Sequence, residues 1–215
     1  MKRSIITTSD GSKTIQIEDW DEQYHSIHGA IQESQHVFIK TGLHHFLNLY
    51  KPINLNILEI GFGTGLNAFL TALESEKLGV KIHYEGVEAY PVLAEELSQL
   101  NYAALIAPAN QALFDTLHKL SWDESHSLSS QFLIKKRNQF VGRRSKCQSA
   151  EYAFGSSVYK FLQTVVVSSL NSTPISPDSS STIFFTISFD KSNDCKSVFS
   201  NSIHWEKSDF RVNIP

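Results

Sequence analysis

The stretch that most constrains this chain is Leu55-Asn56-Ile57-Leu58-Glu59-Ile60-Gly61-Phe62-Gly63-Thr64-Gly65-Leu66-Asn67, an apolar run that breaks into three alternating glycines and resumes as a helical pattern. Ile57, Leu58 and Ile60 suit a buried parallel strand. Glycines at 61, 63 and 65 permit positive φ and a close approach of backbone to a ligand. The helix beginning near Leu66 would aim its free N–H groups and the positive end of its dipole at the loop, so a nucleotide-like ligand is the natural occupant.

The spacing selects among nucleotides. A dinucleotide fingerprint needs a third glycine where Leu66 stands, and a phosphate-binding Walker loop needs Lys-Ser/Thr after Gly65, where the chain has Leu66 and Asn67. What remains is E-x-G-x-G-x-G, which resembles motif I of class I S-adenosylmethionine-dependent methyltransferases. Lys81 to Glu88 then reads as a second strand, and Glu88 lies roughly twenty residues past the loop, where an acid accepts the ribose hydroxyl protons.

Length and composition leave room for one sizeable α/β domain. The 215 residues are 41% hydrophobic and 19% charged, with a net charge of −3, so an RNA substrate would need a local basic patch. Cys147 and Cys195 form neither a disulfide framework nor a pair at zinc spacing, and a reducing cytoplasm is the default expectation, with no metal. The start Met1-Lys2-Arg3-Ser4 is followed by no apolar signal region, and no apolar run approaches eighteen residues, so neither secretion nor membrane insertion is expected.

Taken in order, residues 4–17 read as a β-hairpin turning at Ser9-Asp10-Gly11-Ser12. Trp20 to Ser34 is a polar-aromatic stretch whose plain reading is a surface loop entering a helix, with Ser26 or Asp21 as cap. Phe38, Leu43, Phe46, Leu47 and Tyr50 mark a helical face ending before Pro52. Beyond the glycine loop, Leu66, Phe69, Leu70, Leu73 and Leu78 give a crossover helix that Gly79 stops. Pro91 suits the first turn of the next helix, Leu105-Ile106-Ala107 reads as a short third strand, and Gln111 to Leu120 as another helix. Trp122 to Ser130 reads as a polar loop and Phe132 to Arg137 as a basic-ended strand, whose Lys135, Lys136 and Arg137 are candidates for phosphate, against the alternative of a solvated edge. From residue 141 the chain is Ser-rich with only Gly142 and Gly155; Lys160 to Leu170 and Thr182 to Asp190 are β-prone, and Asn171 to Ser181 has a disordered composition.

Several segments together carry a family resemblance: Asp10-Gly11-Ser12, Tyr24-His25-Ser26, Gly29-Ala30, Glu33-Ser34, His36-Val37-Phe38, the Glu59 to Asn67 loop, and Gly86-Val87-Glu88-Ala89-Tyr90-Pro91. Over about residues 4–140 the chain resembles the bacterial tRNA methyltransferases that make 5-methylaminomethyl-2-thiouridine at the wobble position, the MnmC-type methyltransferase domain and its stand-alone form. The resemblance implies a Rossmann-like class I fold with an N-terminal β-hairpin, S-adenosyl-L-methionine as cofactor, and tRNA as partner. It also implies attack of the aminomethyl nitrogen of the uridine on the sulfonium methyl, without metal. Carried onto this chain, the cofactor residues are Tyr24, Glu33, Glu59, Gly61, Phe62, Gly63, Thr64, Gly65, Asn67, Glu88 and Ala89, with Ser26, Lys135, Lys136 and Arg137 as substrate candidates.

The resemblance stops short of the catalytic residue. Complete members end their fourth strand in an F-D-A-F-like stretch and close with a P-G-x-x-G-K-R-E-M-like segment; neither is present, and Asp190, ending Phe184-Phe185-Thr186-Ile187-Ser188-Phe189, is the nearest substitute. The expected organisation is therefore a lead-in over 1–54, a cofactor-binding half over 55–140, and a segment over 141–215 foreign to the family, as a coding-frame shift near residues 138–145 would produce. A parallel sheet truncated there would leave its first strand with an open edge. Two other functions stay open: a nicotinamide or flavin oxidoreductase, and a non-catalytic nucleotide- or RNA-binding module.

Overall fold

The computed structural model describes residues 2–139 in full and, of the rest, segments 163–168 and 182–187 by backbone alone. A small antiparallel sheet comes first: β1 (Arg3–Thr7) and β2 (Lys13–Ile17) form the expected hairpin, and β3 (Glu22–Gln23) adds to β2. Ile15, Ile17 and Tyr24 pack together on it. α1 (Ala30–Glu33) continues through a wider, π-wound segment, Ser34–His44, into α2 (His45–Tyr50), which ends at left-handed Lys51.

Among the described residues the second sheet has six strands, in the order β6 (Ser125–Ser127), β7 (Phe132–Asn138), β5 (Lys81–Glu88), β4 (Asn54–Ile60), β8 (Gln163–Ser168) and β9 (Thr182–Ile187). β4, β5 and β7 are parallel neighbours, joined by α3 (Leu66–Leu78) and by the helices between β5 and β7. This is a mixed α/β fold built around a parallel half-sheet. Leu55 and Ile57 of β4, Ile82 and Tyr84 of β5, and Phe132 and Ile134 of β7 form one buried face with Phe38, Phe69 and Phe114. Burying each such side chain is worth about 1.5–3 kcal/mol.

Four local expectations are corrected. Leu58 and Ile60 are half-buried rather than buried, because the strand alternates in and out. The opposite face, around Asn56, Leu58, His83, Glu85, Leu133 and Lys135, borders an open depression of about 460 Å³. Leu105 and Ile106 belong to helix α5 (Tyr102–Ile106), where Tyr102 and Ala103 turn inward; an apolar triplet carries no period of its own and follows its surroundings. The helix after β5 is only α4 (Ala94–Leu97), so Pro91 precedes it, and Leu93 N–H instead donates to Glu96. The stretch read as a polar loop contains β6 (Ser125–Ser127), antiparallel to β7, after α6 (Gln111–Lys119).

The largest difference concerns the far edge of β4. β8 (Gln163–Ser168) runs antiparallel beside it, with Thr164 opposite Ile60, and β9 (Thr182–Ile187) pairs with β8. The edge expected to be open is thus paired, by the two β-prone runs of the Ser-rich segment. Asp190, the Asn171 to Ser181 spacer and all but the first two residues of the expected junction at 138–145 lie outside the described residues.

Candidate cofactor site

β4 ends at Ile60 and the chain turns sharply, with positive φ at Gly61, Gly63 and Gly65. Two of these glycines also leave room for a neighbour. A Cβ at Gly63 would stand 2.9 Å from the Tyr24 ring, and one at Gly65 would stand 2.9 Å from the His118 ring. Gly65 caps α3, whose Phe69 N–H returns to the Gly65 carbonyl at 2.9 Å.

The loop is tied to β5 by backbone and side chain. Gly61 and Phe62 N–H both donate to the Val87 carbonyl, at 2.9 and 3.0 Å, and Gly63 N–H donates to Glu88 Oε2 at 2.8 Å. The other Glu88 oxygen accepts Tyr90 N–H at 2.9 Å. Glu88 is 3% exposed and stands at the loop, with acceptor lone pairs beyond the two amides already bound. Because the amides of Gly61, Phe62, Gly63 and Gly65 all serve the protein itself, this loop is poorly suited to cradle a diphosphate, which needs N–H groups aimed outward.

Glu59 is fully buried behind the loop. Tyr84 OH donates to one of its oxygens at 2.6 Å and Asn67 Nδ2 to the other at 2.9 Å, so the carboxyl links β4, β5 and the first turn of α3. Burial pushes its pKa up to about 8, against the lowering effect of those two donors. Glu59 and Asn67 therefore brace the loop from inside.

The N-terminal layer closes over the other side. Tyr24, 5% exposed, lies against Gly63, and its hydroxyl accepts Arg3 at 3.4 Å while Arg3 also pairs with Glu96 at 3.3 Å. Burial raises the Tyr24 phenol to about 12. His25 Nε2 is 3.0 Å from Thr64 Oγ1, and Glu33 Oε2 accepts Ser26 N–H at 2.8 Å. Ser26 Oγ accepts His28 N–H at 3.2 Å, a local turn. The hairpin is fixed to this layer by Asp10, whose Oδ2 accepts Gln32 N–H at 2.9 Å in the first turn of α1. Burial opposes ionisation of Asp10, but donors from Ser12, Gln32 and Thr8 bring it down to about 2.

On the β7 side, Phe62 packs edge-on to His118 and Trp122. Lys136 is 1% exposed; its Nζ donates to the His118 carbonyl at 2.9 Å and lies 4.8 Å from the centre of the Trp122 ring. Burial lowers Lys136 to about 8, and burial plus Lys136 lower His118 to about 4. The basic run thus divides: Lys136 anchors the end of α6, Arg137 pairs with Glu85, and Lys135 lines the open depression. Neither Lys136 nor Arg137 is an unpaired cation at the surface.

The structure brings Tyr24, Gly61 to Gly65 and Glu88 together at the carboxyl end of β4 and β5, and places Glu33 behind His25. It keeps Lys135, Lys136 and Arg137 on the strand beyond. Sequence reading missed His25, Tyr102, His118 and Trp122 as neighbours of the loop; only His25 carried a signal, its place inside Tyr24-His25-Ser26. Among the described residues no group of three His, Cys, Asp or Glu could hold a metal, and no helix is long and apolar enough to cross a membrane.

The class these features define is a mixed α/β unit with a glycine loop after one parallel strand, β4, and an acidic residue ending the next, β5. The chain is similar, over part of its length, to the tRNA 5-methylaminomethyl-2-thiouridine biosynthesis bifunctional protein MnmC. Identity to the Idiomarina loihiensis protein is 35% over 85 residues, covering 37% of this chain and 14% of that one. Identity to a Leptospira interrogans protein is 35% over 88 residues, 38% and 13%, and to the Hydrogenovibrio crunogenus protein 28% over 113 residues, 49% and 17%. The matches thus span between 13% and 17% of these relatives. The crystal structure of MNMC2 from Aquifex aeolicus matches at 26% identity with a TM-score of 0.47, over 63% of this chain and 42% of that one. No family model matches the chain.

Proposed function

We propose that this chain binds S-adenosyl-L-methionine at the Gly61 to Gly65 loop and corresponds to the methyl-transferring part of a tRNA wobble-uridine modification enzyme. The observation that carries the reading is the link from Gly63 N–H to Glu88 Oε2, which sets an acid beside a loop whose amides are not offered to phosphate. The same feature disfavours the dinucleotide alternative. Similarity to MnmC proteins supports tRNA as the substrate.

The residues present fit such a cofactor. Glu88 has lone pairs left for ribose hydroxyls, and the loop turns through three glycines at positive φ, one of which, Gly63, packs directly under the Tyr24 ring. When bound, S-adenosylmethionine supplies an electrophilic methyl group for a neutral amine. In this reading Tyr24 and the N-terminal layer keep water from the loop and orient the bound group, which lowers the entropic barrier to transfer. The proton lost by the amine needs an acceptor, and no described residue matches the aspartate that the resemblance implies. β8 stands where a parallel fourth strand is expected. Cofactor binding with weak or no turnover is therefore the expected behaviour.

Calorimetry with S-adenosylmethionine, S-adenosylhomocysteine and a nicotinamide dinucleotide, followed by incubation with hypomodified tRNA and labelled cofactor, tests the reading. Binding of the first two but not the third supports it, and any label should sit in the wobble nucleoside. Binding of the dinucleotide alone would overturn it.

A further inference from the structure

Between Gly63 and Gly65 a single side chain, that of Thr64, is available to hold the loop. It is 1% exposed, and its hydroxyl meets His25 Nε2 at 3.0 Å. His25 is itself 4% exposed and packs edge-on to Tyr102, with ring centres 6.3 Å apart. Its other nitrogen, Nδ1, faces Glu33 Oε2 at 3.8 Å, and that oxygen is fixed by Ser26 N–H. A carboxylate on the Nδ1 side favours the proton there and leaves Nε2 to accept the Thr64 O–H.

We infer that His25 is a positioning residue for the glycine loop, holding Thr64 through a buried carboxylate, imidazole and hydroxyl line that starts at Glu33. The inference rests on the reading of the loop as a cofactor site. The same order of groups activates hydroxyl nucleophiles elsewhere, but Thr64 is sealed from any electrophile, so here the line orients the loop. Its polar groups have few alternatives. Glu33 Oε1 is buried without a hydrogen-bond partner among the described residues, and deleting the imidazole would leave the Thr64 hydroxyl with the buried Tyr102 phenol as its neighbour, a group that Thr14 shares. Buried polar groups left unpaired are costly, so the loop would shift to find water or another partner. The loop would then lose the shape that sets Gly63 between Tyr24 and Glu88.

His25→Phe, Thr64→Val, their double variant and His25→Gln test this, the last keeping an amide nitrogen within reach of Thr64. Three quantities are read: S-adenosylhomocysteine affinity, amide exchange at residues 61–67 without ligand, and amide exchange in β5. His25→Phe and Thr64→Val should each weaken affinity about tenfold, with no further loss in the double variant, and His25→Gln should recover most of it. Exchange should quicken in the loop and stay unchanged in β5. Wild-type affinity and loop protection in His25→Phe would overturn the inference, as would equal loss of protection in loop and β5, which marks a general packing role. If His25→Phe does not fold, Thr64→Val and His25→Gln decide by the same criteria. Failure of the wild-type chain to bind S-adenosylhomocysteine would overturn the cofactor reading instead, and the exchange comparison alone would then decide the role of His25.

Discussion

Glu88, the last residue of β5, holds the loop that follows β4 by accepting Gly63 N–H at 2.8 Å. One carboxylate thus shapes the loop and, in the proposed function, contacts the cofactor. Replacing Glu88 by Ala should cost about 1.5–3 kcal/mol of folding stability, since buried amides lose a charged acceptor, and should weaken S-adenosylhomocysteine binding as well. Gly63→Ala should be harmful for two separable reasons: a φ of +52° and a Cβ placed 2.9 Å from Tyr24. Adding Tyr24→Ala should relieve only the second. Denaturant titrations of the two single variants and the double variant measure that coupling, and strict additivity would contradict the contact.

Glu59 makes stability depend on pH in a definite direction. Its carboxyl is raised from 4.5 to about 8 by burial, so the folded chain holds a proton that the unfolded chain has released between those values. The favourable contribution is complete below pH 4.5 and is lost as pH rises through 8, by an amount on the order of a few kcal/mol. Glu59→Gln should remove this slope while keeping an oxygen for one of the two donors, Tyr84 or Asn67. Glu59→Ala should be destabilising at every pH, by about 2–4 kcal/mol, because both donors then lose their acceptor. Urea midpoints between pH 5 and 8.5 for the three proteins check this; a flat wild-type profile beside a flat Glu59→Gln profile would contradict it.

The glycine loop and Glu88 were legible because their signals are local: a φ requirement, a strand period, a fixed distance to the next acid. The hairpin at 3–17 and the stop at Gly79 were legible for the same reason. Leu105 and Ile106 were misread because a short apolar run fits either period, and tertiary packing of Tyr102 decided for helix. Lys136 was offered to phosphate because charge is visible in sequence and burial is not; the acceptor that holds it inside, the His118 carbonyl, lies on another element. Asp10 was read as turn chemistry, which it is, but its cap on α1 spans 22 residues and has no local trace.

That long-range cap can be tested. Asp10→Ala removes the acceptor for Gln32 N–H and should cost about 1 kcal/mol. Gly29→Ala would bring a Cβ within 2.5 Å of Asp10 Oδ2, so it should displace the same carboxylate. The two substitutions should therefore be strongly non-additive, the double variant being little worse than Gly29→Ala. Since donors hold Asp10 near pH 2, its contribution is complete above the unfolded value of 3.8 and is lost progressively as pH falls from there through about 2. Thermal melts at pH 7 and pH 3 provide the check, with the Asp10→Ala deficit expected to shrink only in the acid series.

Lys136 and Lys135 are neighbours in sequence with opposite surroundings, and this separates folding from RNA contact. Lys136 sits inside, against Trp122 and the end of α6, with its ammonium lowered from 10.5 to about 8 by burial. Between those values the unfolded chain binds more protons, so wild-type stability should rise with pH from 8 towards 10.5. Lys136→Met should remove that rise and, by filling the same space without a charge to desolvate, should be tolerated near neutral pH. It should leave tRNA affinity unchanged in the proposed function, whereas Lys135→Ala should weaken it and flatten its salt dependence if the open face of β7 meets phosphate. Filter binding at two salt concentrations distinguishes the pair. Equal losses from both variants, with both proteins folded, would mean that the Lys136 ammonium reaches solvent and the phosphate surface extends across the strand.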